Sequence, residues 1–168
     1  MRPVLVSACL LGIHCRYDGG ERLDDELGER LKREGCGAVP VCPEQLGGLP
    51  TPRPPSEITR GDGTAVLAGE AKVLAADGSD VTEQYLRGAR QALCLAQRLG
   101  CRRAYLKEKS PACGVEWIRR GERTCRGRGV AAALLESAGI EVFGVQPPAG
   151  GVEPARAGGV VPPAGGGD

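Results

Sequence analysis

Short apolar runs alternate with amphipathic stretches along this chain, and that alternation limits the fold more than any other feature. Residues 3–8 are apolar and β-branched, the pattern of a short buried strand. Residues 22–34 carry Leu23, Leu27 and Leu31 with charges between them and run into Gly35, which predicts an amphipathic helix. Residues 38–42 read as a second strand. Asp80 and Glu83 form a capping-box pattern ahead of a helix over residues 81–99, with Leu86, Ala89, Leu93 and Ala96 as its apolar stripe and Gly100 as its stop. A third strand is expected at 103–106, an Ala/Leu helix at 129–138 and a fourth strand at 140–145. Weak alternation over residues 65–76 suggests a small hairpin. Pro50, Pro52, Pro54 and Pro55 make the stretch before it a stiff loop.

This order predicts an α/β fold: one Rossmann-like three-layer domain over residues 1–145, with a mainly parallel sheet of about four strands plus the small hairpin. Residues 146–168 are dominated by Gly, Pro and Ala. They cannot bury enough apolar surface to offset their ordering entropy, so a disordered tail is expected there.

A chain of 168 residues buries enough surface to fold without disulfides. Aromatic residues are only 3%, so Ala, Val and Leu must fill the core. A formal net charge of +1 gives no global field for nucleic acid or an anionic membrane. The first seven residues are too short an apolar run for a signal peptide, and no stretch approaches the roughly 20 apolar residues of a membrane span. The expected location is the cytoplasm. Eight cysteines is a high count for a reducing compartment, where disulfides are rare, so metal binding or redox chemistry gains weight. The lone histidine, His14, excludes a His-rich zinc site.

Three expected strands lead into cysteines: Ser7-Ala8-Cys9, then Cys42-Pro43-Glu44, then the run from Lys107 to Cys113. Ligands of open α/β sheets bind outside the carboxyl ends of the strands. If these strands are neighbours, Cys9, Cys42 and Cys113 converge. Clustered thiolates repel unless a metal neutralises them, and soft sulfur donors suit zinc or an iron–sulfur cluster. Three protein ligands leave one coordination position open, as a catalytic metal requires. Glu44 and Ser110 lie close in sequence to Cys42 and Cys113, placed for proton transfer and substrate hydrogen bonding.

The other candidates have plainer readings. Cys36, Cys94, Cys101 and Cys125 read as structural or incidental. Cys15 is either a further ligand or a nearby free thiol. His14 reads as a loop histidine and Asp18 as a turn residue before Gly19-Gly20. Arg16 and Arg53 could orient an anionic or carbonyl-bearing ligand, although solvated surface arginines are the commoner case. Lys107, Glu108 and Lys109 read as a solvated edge. The five arginines between 119 and 128 read as a solvated loop, since no aromatic interleaving accompanies them. These residue patterns leave zinc and iron–sulfur both open.

Four motifs carry a resemblance. They are residues 4–12 (Val-Leu-Val-Ser-Ala-Cys-Leu-Leu-Gly), residues 16–19 (Arg-Tyr-Asp-Gly), residues 41–53 (Val-Cys-Pro-Glu-Gln-Leu-Gly-Gly-Leu-Pro-Thr-Pro-Arg) and residues 109–114 (Lys-Ser-Pro-Ala-Cys-Gly). Together they resemble the bacterial domain-of-unknown-function family that contains the iron–sulfur thiouracil desulfidases, with similarity over residues 4–145. The resemblance implies a [4Fe-4S] cluster held by Cys9, Cys42 and Cys113, with one iron free for substrate sulfur, and catalytic roles for Glu44 and Ser110. It implies hydrolytic removal of sulfur from a thiolated pyrimidine of the 2-thiouracil type, released as hydrosulfide. The expected partner is thus a small thiolated base, with no membrane and no nucleic acid. The alternative is a non-catalytic zinc or iron–sulfur redox or sensor module. The chain departs from the family pattern after Gly114. There Val115-Glu116-Trp117-Ile118-Arg119-Arg120 replaces a Gly-rich segment, and Arg128 stands where an acid is usual, at a helix start where the dipole disfavours a cation.

Overall fold

Strand β1 (Arg2–Ser7) is buried from Val4 onward, because it runs between two neighbours in the sheet. The structure, a computed structural model, describes residues 1–146. The expected tail falls on residues outside that range from 147 on. A 3-10 turn, Ala8–Leu11, follows β1 and ends at Gly12, whose φ of 83° suits glycine. Helix α1 (Asp25–Arg33) starts where the Asp24 side chain accepts the Leu27 N–H at 2.9 Å. Acids fill its first turn and bases its last, matching the helix dipole. Leu27 and Leu31 are buried, while Leu23, expected inside the helix, precedes it and stays half exposed.

Then come β2 (Cys36–Val41), α2 (Pro43–Leu46), β3 (Ser56–Ile58), α3 (Gly63–Leu67) and β4 (Val73–Ala75). Helix α4 (Thr82–Leu99) leads to β5 (Arg103–Lys107), β6 (Trp117–Arg120) and β7 (Arg123–Arg126). Helix α5 (Val130–Ser137) and β8 (Glu141–Val145) complete the described residues.

The main sheet has the order β2-β1-β5-β8, with every pairing parallel, as the alternation of elements predicts. The strand period of two sorts its residues onto two faces. Leu5, Ala104 and Leu106 join α4 and α5 on one face, where Ala89, Ala96, Val130 and Leu135 are buried. Val4, Val6 and Tyr105 face α1 through Leu27 and Leu31 on the other. Tyr105 stacks on Phe143 at 5.2 Å between ring centres. The result is the expected three-layer arrangement.

Three local expectations need correction. The hairpin is not contained in residues 65–76. Part of that stretch is α3, and β4 pairs antiparallel with the earlier β3. The capping box does not form: Asp80 accepts both the backbone N–H and the hydroxyl of Thr82, leaving Val81 at the helix start without a side-chain cap. The arginine-rich stretch is not an irregular loop, because β6 and β7 form an antiparallel hairpin within it. Three of its arginines have partners. Arg120 donates to the Ile58 and Gly61 carbonyls, and Arg126 lies over the Trp117 ring. Arg128 is tied to the Val115 carbonyl and to Glu136, so the cation at the helix start has a counter-charge.

Helix α2 lies against α4 at backbone distance. A Cβ on Gly88 would stand 1.8 Å from the Pro43 carbonyl oxygen, and one on Gly47 would stand 2.0 Å from the Gln84 carbonyl oxygen. Only glycine permits this approach. Gly28, in α1, is the opposite case, with nothing within 4 Å of a built Cβ. Gly28→Ala is expected to raise stability by about 0.5–1 kcal/mol, through helix propensity alone. Denaturant melts check this, and an unchanged or lower midpoint would contradict it.

Candidate active site

Strands β1, β2 and β5 end at the same edge of the sheet, and β1 lies between the other two. The chain runs from β1 to β2 on one side and later returns to β5 on the other, so this edge is a topological switch point. Cys9 sits in the 3-10 turn after β1, Cys42 directly follows β2, and Cys113 lies in the loop after β5. All three line one cavity of about 790 Å³, together with Cys15, Glu44 and Ser110. The sequence therefore places its candidate residues correctly at strand ends, and the fold brings all five together.

The four thiols differ in their surroundings. Cys15 is buried and hydrogen-bonds with the thiols of Cys42 and Cys9, which with burial drives its own pKa up. The same contact draws Cys42 down to about 7, against burial, with help from the Gln45 backbone. Cys9 is also lowered, first by Cys15 and then by the Lys107 and Arg16 cations. Burial pushes Cys113 up. The surroundings thus favour the thiolate at Cys9 and Cys42 and disfavour it at buried Cys113, where a bound cation would offset the burial. Among the described residues no thiol is in a disulfide. The Cys42 Sγ also lies 3.7 Å from the Cys15 carbonyl oxygen, so both loops meet at this point.

Glu44, on α2, is paired with Arg53 and receives the Tyr85 hydroxyl at 3.4 Å. Arg53 is not the solvated arginine that its place in a Pro-rich loop suggests. Its side chain is only 4% exposed. It donates to the Cys15 carbonyl at 2.9 Å and to the Pro50 carbonyl and Thr51 hydroxyl at 3.1 Å. Burial opposes its charge, but the Glu44 carboxylate outweighs burial and raises its pKa. Burial, then Glu44, holds the Tyr85 hydroxyl well above the usual phenol range, so it stays a donor. Arg53 and Tyr85 thus orient Glu44 from both oxygens, and one cation joins the Cys15 loop, the Glu44 helix and the Pro loop.

The loop after β5 is shaped from within. Ser110 lines the cavity, and its Oγ accepts the Ala112 and Cys113 backbone N–H groups at 3.1 Å. Glu108 is buried, not solvated as expected. Its carboxylate accepts the backbone N–H groups of Val115, Glu116 and Trp117, at 2.9 Å for Trp117. Lys107 also turns inward, lines the cavity and donates to the Glu108 carbonyl at 2.7 Å, and burial lowers its pKa. At the tip of the β6–β7 hairpin, Arg119 and Gly121 reach the cavity wall, so the segment that departs from the family pattern borders the site.

The plainer readings hold elsewhere. Asp18 accepts the Gly20 N–H at 2.9 Å in a turn, and His14 pairs with the Gly19 carbonyl at 3.1 Å. Cys36 and Cys101 are buried, and Cys94 and Cys125 partly so, all outside the cavity lining. Sequence reasoning missed Tyr85. The buried stripe of α4 is Tyr85, Gly88, Ala89, Ala92 and Ala96, while Leu86 and Leu93 sit at its margin. The spacing of Tyr85 from Ala89 and Ala92 was the signal available.

The cavity can be tested against the cofactor that the motifs imply. Its donors are soft thiols from three separate strand ends, with a carboxylate and a hydroxyl beside them. Among the described residues, no group of three or more His, Cys, Asp or Glu side chains is set to hold a metal ion. The donor set itself, soft thiols with a carboxylate and a hydroxyl beside them and no histidine in the lining, fits an iron–sulfur cluster.

Comparison with known proteins agrees with this geometry. The family model for 2-thiouracil desulfurase matches residues 4–146. "Uncharacterized protein YbbK" of Bacillus subtilis (strain 168) is 44% identical over 143 residues, covering 83% of this chain and 93% of its own length. The solved structure of the [4Fe-4S]-dependent thiouracil desulfidase TudS (DUF523Vcz) superposes with a TM-score of 0.73 at 41% identity, over 86% of this chain and 91% of that one. From its strand-end cysteines, its sheet order and a match over nearly all of its described length, the chain belongs to the 2-thiouracil desulfurase family.

Proposed function

We propose that this protein is a [4Fe-4S]-dependent desulfidase that removes sulfur from a thiolated pyrimidine and releases hydrosulfide. The observation that carries it is the convergence of Cys9, Cys42 and Cys113 on one cavity with Glu44 at its wall. The 41% identity with a [4Fe-4S]-dependent thiouracil desulfidase over most of both chains supports it.

Cys9, Cys42 and Cys113 would hold the cluster. When bound there, it supplies a soft Lewis acid for a thiocarbonyl sulfur. The chain's own groups do the rest. Glu44, held by Arg53 and Tyr85, takes a proton from the water that attacks the thiocarbonyl carbon. Ser110 keeps the Cys113 loop in shape while bordering the substrate space. The overall change is hydrolysis: the carbon exchanges a bond to sulfur for one to oxygen, and no electron is transferred. The likeness to a solved [4Fe-4S]-dependent enzyme over most of both chains favours this reading over the zinc module. No helix of the described residues is long and apolar enough to cross a membrane. Free thiols in this number suit a reducing compartment, so we place the protein in the cytoplasm.

Anaerobic reconstitution followed by a panel of thiolated bases tests the proposal. The expected result is a brown protein with about four irons per chain and sulfide release from a 2-thiouracil-type base. A colourless protein with stoichiometric zinc and no sulfide release from any base would replace it with the metal-module reading.

A further inference from the structure

Four thiols line the cavity, and the desulfidase reading uses three of them. Cys15 is left over. It is 2% exposed, and its thiol is in hydrogen-bond contact with the thiols of Cys42 and Cys9. The contact with Cys42 also shows at the backbone. The Cys42 Sγ lies 3.7 Å from the Cys15 carbonyl oxygen, so that sulfur stands beside the main chain that carries Cys15.

Both main chains are fixed at this point. The Cys15 N–H donates to the Ile13 carbonyl at 2.8 Å, and Arg53 holds the Cys15 carbonyl at 2.9 Å. The Cys42 carbonyl accepts the Leu46 N–H at 2.9 Å at the start of α2. Joining the two sulfurs is therefore a matter of side-chain rotation, with no strand displaced. Exposure differs across the group. Cys9, Cys15 and Cys113 are buried, while Cys42 is partly exposed. A small oxidant reaches Cys42 first, and Cys15 stands behind it. A thiol oxidised to a sulfenic acid stays recoverable when a second thiol lies next to it and condenses with it.

We infer that Cys42 and Cys15 form a reversible disulfide when the iron-free protein meets a peroxide, with Cys15 as the resolving thiol. The Cys42 sulfur attacks a peroxide oxygen, the O–O bond breaks, and Cys42 becomes a sulfenic acid as hydroxide leaves. The Cys15 sulfur then attacks the Cys42 sulfur. The S–O bond breaks, the S–S bond forms, and the oxygen departs as water with the Cys15 proton. Two thiols are oxidised, and one peroxide is reduced to two waters. A dithiol reductant reverses the bond by exchange. On the proposed reading of Cys42 as a cluster ligand, the disulfide withholds one ligand from iron. It also keeps that sulfur from the irreversible sulfinic and sulfonic stages.

The test treats iron-free, full-length protein with one equivalent of hydrogen peroxide, alkylates the remaining thiols and digests with trypsin in the absence of reductant. Trypsin leaves Cys9 and Cys15 in the peptide 1–16 and Cys36 and Cys42 in the peptide 34–60. The expected result is the loss of two of the eight thiols and a covalent pair of these peptides, whose fragment spectrum joins Cys15 to Cys42. A Cys9–Cys15 bond, a Cys9–Cys42 bond or no bond would overturn the inference. A second arm exposes wild type and Cys15→Ala to excess peroxide, then to dithiothreitol, then to anaerobic iron loading. Wild type should regain its full iron per chain. Cys15→Ala should regain severalfold less, because its Cys42 has no resolving thiol and oxidises past the sulfenic acid. Equal recovery in the two proteins would also overturn the inference. If Cys15→Ala loads no iron even before peroxide, the wild-type peptide map decides alone. Neither arm reads sulfide release. An iron-replete wild type that releases no sulfide from any thiolated base would remove the desulfidase reading and leave the disulfide standing.

Discussion

Glu44→Gln retains its iron and releases sulfide about a hundredfold to ten-thousandfold more slowly than wild type, the range spanned by losing a positioned general base. Glutamine is the informative replacement because its Oε1 still accepts from Arg53, so the guanidinium that ties the Cys15 loop to the Pro loop keeps a partner. Glu44→Ala confuses two effects. It removes the base and leaves a buried cation unpaired, a change that typically costs about 3–5 kcal/mol. The readout is sulfide released per iron-loaded chain. Undiminished release from Glu44→Gln would take Glu44 out of the mechanism and leave it the structural partner of Arg53.

Gly88→Ala should damage both stability and the site, although Gly88 is not among the residues lining the cavity. The added methyl would stand 1.8 Å from the Pro43 carbonyl oxygen, and the obstacle is backbone, not a flexible side-chain end. Either α4 bends outward or α2 moves, and α2 carries Glu44 and begins at Cys42. Overpacking of this kind costs about 1–3 kcal/mol or more. For a chain of this size, the upper end corresponds to a fall in Tm of about 6–12 °C. Iron per chain should fall with it, because a ligand loop shifts. A Gly88→Ala protein with wild-type Tm and full iron would mean that α2 is free to slide on α4.

The strands were legible because apolar β-branched runs stand out between glycine stops, and four such runs separated by helices leave few alternatives to a parallel sheet. The cysteine site was legible for the same reason: once strand ends are known, a parallel sheet puts them at one edge. Pairings made across the chain were not legible. β4 finds its partner in β3, beyond an intervening helix, and nothing in the local pattern of residues 65–76 specifies that. Arg53 looks exposed in sequence because it is charged and surrounded by prolines. Its burial depends on Glu44 and the Cys15 carbonyl arriving together. Glu108 sits between two lysines and reads as surface, yet its partners are backbone N–H groups, which carry no sequence signature. In each case the missing information is a contact made by main-chain atoms or by residues distant in sequence.

The Glu108 carboxylate also settles when the ligand loop becomes ordered. A loop that waited for iron would lose its conformational freedom at the moment of loading, and that loss would be subtracted from the affinity for the cluster. Here three backbone N–H groups on the far side of Cys113 are already held by one buried side chain, and two on the near side are held by Ser110. The conformational entropy of this loop is therefore given up through contacts made by the chain's own side chains. On the proposed reading of Cys113 as a cluster ligand, the cost of ordering its loop then does not fall on cluster binding.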